Sequence, residues 1–170
     1  MATTTSGRLP DRRDALIIAA AAVAVNLIGA VGVPFTATGS AWFAALELPG
    51  FYPPSWAFGV VWPTLYALLG TAAAIVYFAG RDGAASAGRV RTALALFGVQ
   101  LAVNVAWSPV FWGLERPGLG LVVLVALLPL VVATIALFDR IDRRAAALLV
   151  PYLAWVCFAT ALNYGIWALN

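Results

Sequence analysis

The chain holds 170 residues, of which 64% are hydrophobic and 10% charged, and its mean hydropathy is +0.95. That balance excludes a soluble globular domain and requires an integral membrane protein. The net charge of +3 is carried by arginines that hug the ends of apolar stretches and form no stripe interleaved with aromatic rings, so no nucleic-acid partner is expected.

Residues 1–14 form a short polar tail, and residues 15–170 form one domain of apolar stretches at about 15–35, 56–79, 91–113, 119–138 and 145–169. Each is close to the roughly 20 residues that cross a bilayer, so the expected fold is an all-α bundle of five transmembrane helices. Arg12 and Arg13 ahead of the first stretch suggest an export signal, but the stretch is full-length and Asp11 and Asp14 flank the pair, so a retained span is expected. Five crossings put the tail, the loop near 81–91 and the loop near 139–144 on one side, which then holds nine of the ten arginines, all but Arg116. The positive-inside rule places the N-terminus inside and the C-terminus outside. Arginines at that depth also make membrane lipid an expected partner.

The long connection at 36–55 contains Pro49, Pro53 and Pro54, which fix backbone angles and forbid a continuous helix. Phe43, Leu46, Leu48 and Phe51 would otherwise face water. A lid over the bundle, with Leu46 and Pro49 closing a pocket, accounts for them, and so does an interfacial segment lying on the lipid. In the second span, Phe58, Trp62, Leu65, Tyr66 and Leu69 fall on one helical face.

The third span carries two opposite stripes. Gln100, Asn104, Trp107 and Phe111 share one, and buried amides there must find partners. Gly98, Ala102 and Ala106 share the other, a small-xxx-small pattern that suits close helix approach, either in a homodimer or against a neighbour in the bundle. In the last span Tyr152, Trp155, Ala159 and Asn163 share a face, with Leu162 and Ile166 beside it and Cys157 and Tyr164 on other sides. Pro63, Pro109, Pro129 and Pro151 kink or begin helices, and kinks leave gaps. Trp42, Trp56 and Trp167 lie near span ends and read as interfacial belt or loop residues. Trp62, Trp107 and Trp155 lie deeper, where they either fill helix interfaces or line a pocket.

The chain has no His, no Lys and a single Cys, so an intramolecular disulfide and a Cys/His zinc site are excluded, and no metal or cofactor is expected. All seven carboxylates lie in the tail, the loops or at span ends, leaving no buried acid for a proton relay. Conventional acid-base or nucleophilic catalysis has no obvious residues to run on. No internal similarity of the kind found in inverted-repeat transporters is visible.

The segments WFAALELPGFYPPSWAFGVVWPTLY, QLAVNVAWSPVFWG and PYLAWVCFATALNYGIW, in this order between Trp42 and Trp167, resemble the tryptophan-rich sensory protein and translocator protein family, also called the peripheral benzodiazepine receptor or TspO/MBR family. The resemblance implies a five-helix bundle, usually dimeric, with a pocket under the first loop for protoporphyrin IX and other tetrapyrroles, for sterols in animal members, and for synthetic isoquinoline carboxamides and benzodiazepines. Family pocket residues carry over at Trp62, Asn104, Trp107, Trp155 and Ala159. The pair Trp62 and Trp155 is also tied, in some bacterial members, to light-dependent breakdown of protoporphyrin. Two departures limit the transfer: nothing basic follows Tyr164, as the animal sterol motif needs, and Val123 stands where animal members have an acid.

The reading that follows is a membrane receptor or sensor, in a prokaryotic cell membrane, that binds a tetrapyrrole in an aromatic pocket and could transport it. Its expected site comprises Leu46, Pro49, Phe58, Trp62, Tyr66, Gln100, Asn104, Trp107, Tyr152, Trp155, Ala159 and Asn163. The alternatives are a photocatalyst that degrades porphyrin through Trp62 and Trp155, with no catalytic residue otherwise, or a lipid or sterol binding and transport protein.

Overall fold

The computed structural model describes residues 11–170. Helix α1 (Arg12–Ala30) runs on through a turn at Val33–Phe35, and a single helical turn, α2 (Ala41–Ala44), sits within the connection to α3 (Ser55–Arg81). Then follow α4 (Ala87–Ser108), extended by a π turn at Pro109–Gly113, α5 (Pro117–Asp139) and α6 (Arg143–Leu169). Five of these segments, each of 23 to 27 residues, are long and apolar enough to span a bilayer, as the sequence requires. The protein is a multi-pass membrane protein. The N-terminal tail lies outside the described residues except for its last positions.

Local chemistry sets the helix ends. Asp11 caps α1 by accepting from the Asp14 N–H at 2.9 Å, and Asp142 caps α6 by accepting from the Arg144 N–H at 2.8 Å. Pro117 opens α5 at a position where its missing N–H costs nothing. Thr64, Thr71, Thr134 and Thr160 each donate to the carbonyl four residues earlier, at 2.7 to 2.8 Å, so these hydroxyls are satisfied inside their own helices.

Helix α1 packs on α3, α3 meets both α4 and α6, and α5 bridges α4 and α6. Gly70 sets the first contact: a Cβ there would meet the backbone of Ala21 and Ala22, so only glycine lets α1 cross so closely. Toward the arginine-rich end the interior is filled by Leu69, Val76, Leu127, Val131, Phe138 and Leu149, none of them accessible to solvent. Toward the long loop a separate cluster forms from Phe111, Trp112, Leu162 and Ile166, on which Trp42, Phe43, Leu46 and Tyr52 of the loop pack. The loop is therefore a lid on the bundle, although Leu48 and Phe51 stay exposed.

The regular 100° step fails at the end of the third span. Pro109 has no N–H to give to the preceding turn, and the helix widens so that the Leu114 N–H donates to the Pro109 carbonyl at 3.0 Å. The extra residue in this turn brings both Phe111 and Trp112 inward, where helical spacing had placed Phe111 alone. Of the two roles expected for Trp42, belt or loop, it takes the loop one, with its ring turned onto the bundle. Its ring stands edge-on to Phe111 at 5.7 Å and to Trp112 at 6.1 Å, whereas Trp56 and Trp167 are exposed at span ends. Gly98, Ala102 and Ala106 lie on the outer surface, and a Cβ at Gly98 would meet nothing within 4 Å, so that stripe does not serve packing inside the bundle.

Candidate functional site

Beneath the lid the helices enclose a cavity of about 530 Å³, a size that suits a small organic ligand. Helix α3 contributes Phe58, Trp62 and Tyr66 at one-turn intervals, and α6 contributes Trp155, Ala159 and Asn163 on the adjoining wall. Asn104 and Trp107 come from α4, with Phe111 and Trp112 brought in by the π turn. The lid adds Phe43 and Tyr52.

The rings are arranged by planes. Trp62 stacks on Tyr66 with centroids 5.3 Å apart and 27° between planes, while Trp155 stands edge-on to Trp62 at 6.3 Å and to Phe58 at 5.9 Å. Across the cavity Trp107 stacks on Phe111 at 4.9 Å. Ala159, one turn beyond Trp155, lines the cavity beside it with the smallest side chain of that face. Rigid planes meeting at steep angles cannot interdigitate as aliphatic chains do, and the space they leave is flat-walled.

The polar atoms are few and mostly committed. The Tyr66 hydroxyl donates to Asn104 Oδ1 at 2.8 Å, the Trp107 indole N–H donates to Asn163 Oδ1 at 3.0 Å, and Asn163 Nδ2 donates to the Pro117 carbonyl at 2.7 Å. The Trp155 indole N–H is buried and has no hydrogen-bond partner. Burial also raises the Tyr52 hydroxyl above its ordinary value, so it remains a neutral donor at the cavity mouth. No Asp, Glu or Arg lines the cavity, and no cluster of three His, Cys, Asp or Glu exists among the described residues. Such a site can stack, shield from water and offer single hydrogen bonds, with no charged side chain in its lining.

Eight of the expected residues meet at this cavity: Phe58, Trp62, Tyr66, Asn104, Trp107, Trp155, Ala159 and Asn163. Four do not line it. Gln100 and Tyr152 lie about one turn beyond Asn104 and Trp155, roughly 5–6 Å deeper along their helices, where the Tyr152 hydroxyl donates to Gln100 Oε1 at 3.0 Å and neither side chain is accessible. They form the layer under the floor. Leu46 packs into the cluster around Phe111 and Ile166. Pro49 rests on Gly165, where a Cβ would come within 3.2 Å of its ring, so both residues seat the lid. The lid is also tied to the end of α6: the Glu47 N–H donates to Asn170 Oδ1 at 2.9 Å, and Asn170 Nδ2 donates back to the Glu47 carbonyl at 3.1 Å.

The first span supplies lining residues that sequence reading missed. Asn26 lines the cavity while donating to the Ala22 carbonyl at 3.0 Å. Its signal was available, since it is the only amide in that apolar stretch. Gly29 makes room for Tyr66, whose ring a Cβ there would overlap, and a Cβ at Gly32 would lie 2.8 Å from Ser108 Oγ. Nothing in the first span alone marks these glycines, because the bulk they avoid belongs to other helices.

Residues 18–168 match the model of the TspO/MBR family. The chain is 41% identical to protein CrtK of Rhodobacter capsulatus over 87% of its own length and 89% of the relative's. It is also 41% identical to the tryptophan-rich protein TspO of Archaeoglobus fulgidus, over 91% and 97% of the two chains. Similarity extends to the human translocator protein, at 37% identity over 78% of this chain and 76% of that one. With the five spans, the lid and the aromatic cavity in place, the chain belongs to the TspO/MBR family of multi-pass membrane proteins.

Proposed function

We propose that the protein is a membrane receptor that takes a flat tetrapyrrole such as protoporphyrin IX into the cavity, sensing its level or passing it on. The observation that carries this reading is the set of rings, Trp62 stacked on Tyr66 and Trp155 edge-on to both Trp62 and Phe58, around about 530 Å³ of uncharged space. Such walls favour a planar aromatic guest. The test is titration of the purified protein with protoporphyrin IX, followed by quenching of Trp emission and by the ligand's own absorbance. Replacing Trp62 and Trp155 together with Ala removes two stacking surfaces, each worth about 1–3 kcal/mol by analogy with bases stacked on aromatic side chains. Absorbance-detected affinity is expected to fall by at least tenfold; an unchanged affinity sinks the site assignment.

A second reading rests on the edge contact of Trp62 and Trp155 at 6.3 Å, two oxidisable indoles on the wall of one cavity. An excited porphyrin held there, with oxygen, would have an electron donor at hand and be degraded. Illumination that yields no product beyond a protein-free control counts against it. Transport driven by an ion is disfavoured by the uncharged lining, and flux in sealed vesicles with and without protein tests it. Sterol or lipid transport has less support, since Tyr164 is exposed on the outside of α6 and nothing basic follows it.

The arginine asymmetry supports an N-terminus inside and a C-terminus outside a prokaryotic cell membrane, with the lid outward, and reporter fusions at both ends check it. The exposed stripe Gly98, Ala102 and Ala106 is the surface we assign to a homodimer, which Ala102→Leu would split in a sedimentation experiment.

A further inference from the structure

At the end of the bundle opposite the lid, α3 and α4 are joined by a tight turn in which Gly83 has a φ of 75° and the Ala85 N–H donates to the Ala79 carbonyl at 2.9 Å. Beside this turn a groove of about 590 Å³ opens on the outer surface, between Tyr77 and Gly80 of α3 and Arg91, Leu94 and Ala95 of α4. It shares no lining residue with the cavity under the lid. Val90 floors it by packing on Gly80, where a Cβ would come within 3.0 Å of a Val90 methyl. The half-exposed Tyr77 forms one bank.

The charges around the groove are unequal in kind. Arg81 is committed: it donates to Asp14 at 2.7 Å and to Asp82 at 2.8 Å, and its guanidinium lies 4.6 Å above the Phe78 ring. Arg91 is exposed and makes no ion pair among the described residues. The first turn of α4 adds positive potential and nothing to offset it, having no acid and no side-chain cap, whereas α1 and α6, which start at the same end, are capped by Asp11 and Asp142. Arg91 stands one turn into a 27-residue span, the depth at which hydrocarbon gives way to headgroups. An apolar cleft and an uncompensated cation thus meet at the level where a phospholipid changes from chain to phosphate.

We propose that this groove binds one anionic phospholipid of the adjoining leaflet, with its phosphate held by Arg91 and the start of an acyl chain lying on Tyr77, Val90 and Leu94. A zwitterionic lipid brings its own cation and gains less from Arg91. A free phosphate ion meets the charge and gains nothing from the cleft.

The test is native mass spectrometry of the detergent-purified full chain offered phosphatidylglycerol and phosphatidylcholine in equal amounts. The wild type is expected to retain one phosphatidylglycerol in about fivefold preference, the scale of one basic residue near an anionic headgroup. Arg91→Gln brings the two lipids to parity, and Leu94→Trp, which fills the cleft, lowers retention of both. Arg140→Gln, at the same end but outside the groove, leaves the preference intact. Thermal unfolding confirms that each variant is folded. The proposal is overturned if the wild type shows no preference, if Arg140→Gln removes as much as Arg91→Gln, or if millimolar glycerol 3-phosphate displaces the lipid.

Discussion

The two halves of the bundle are built from different materials. Toward the arginine-rich end, Leu69, Val76, Leu127, Val131 and Leu149 interdigitate until none is accessible. Toward the lid, rings meet edge to face or stack in pairs and enclose empty space. Branched aliphatic chains adapt their rotamers to each other's gaps, while indoles and phenols are rigid plates that fill space only when another plate matches them. The border is a polar layer, Tyr66 on Asn104 above and Tyr152 on Gln100 below. On the proposed function, stability and ligand binding are thereby separated along the bundle axis, and substitutions on either side of the border should move one without the other.

Leu127→Ala is the strongest test. The side chain is wholly buried, and truncation of such a residue costs about 2–5 kcal/mol, the lost transfer energy plus the cavity left behind. Thermal unfolding in detergent should register the full loss while protoporphyrin affinity at a temperature well below the transition stays the same. Affinity falling in step with stability would show that the halves are not separate.

The border itself gives a smaller effect. Gln100→Leu deprives the Tyr152 hydroxyl of its acceptor, but it also removes Gln100 Nε2, a buried donor with no partner. The two terms oppose each other, so a net cost of about 1 kcal/mol is expected, and adding Tyr152→Phe should recover most of it. If Gln100→Leu weakens ligand binding more than it weakens the fold, the floor lies deeper than Asn104.

The same division explains what could be read from the chain. Span number and length followed from hydropathy, because lipid demands unbroken apolar helices. The stripes on α3, α4 and α6 put Trp62, Asn104, Trp107, Trp155 and Ala159 on inward faces, since helical period alone decides which side a residue takes. Period does not decide depth along the axis, and Gln100 and Tyr152 fell on the right faces but under the floor. It also fails where the helix is not regular, so Trp112 surfaced only with the π turn at Pro109. Gly29 and Gly32 were illegible for a third reason: their role is to be absent beside Tyr66 and Ser108, residues distant in sequence.

On the lid side, Asn170→Ala removes the two hydrogen bonds that clip the backbone of Glu47 to the end of α6. These bonds are exposed, so together they are worth about 1–2 kcal/mol at most. The lid keeps Pro49 on Gly165 and Leu46 in its cluster, and the fold should hold its melting temperature. Stopped-flow release of protoporphyrin should quicken by about three- to tenfold. An unchanged release rate would show that the lid does not gate the cavity, and a lower melting temperature would make Asn170 part of the fold.

The smallest expected effect separates the halves by pH. Asp142 lies at the arginine-rich end, where the Arg144 side chain holds its carboxyl below the ordinary range against the opposing effect of partial burial. A carboxyl that is more acidic folded than unfolded contributes above its unfolded value near 3.9, and the contribution is lost as pH falls through the lower folded value. The melting temperature should therefore decline below about pH 4, by an amount within the 0–1 kcal/mol of an exposed pair. Asp142→Asn isolates that charge effect, since Asn still caps the helix, and it should flatten this part of the acid limb. The cavity has no carboxylate of its own, so affinity for an aromatic ligand without titrating groups should not follow the decline while the protein remains folded. A matching acid dependence of affinity would mean that the polar layer transmits what the aliphatic half feels.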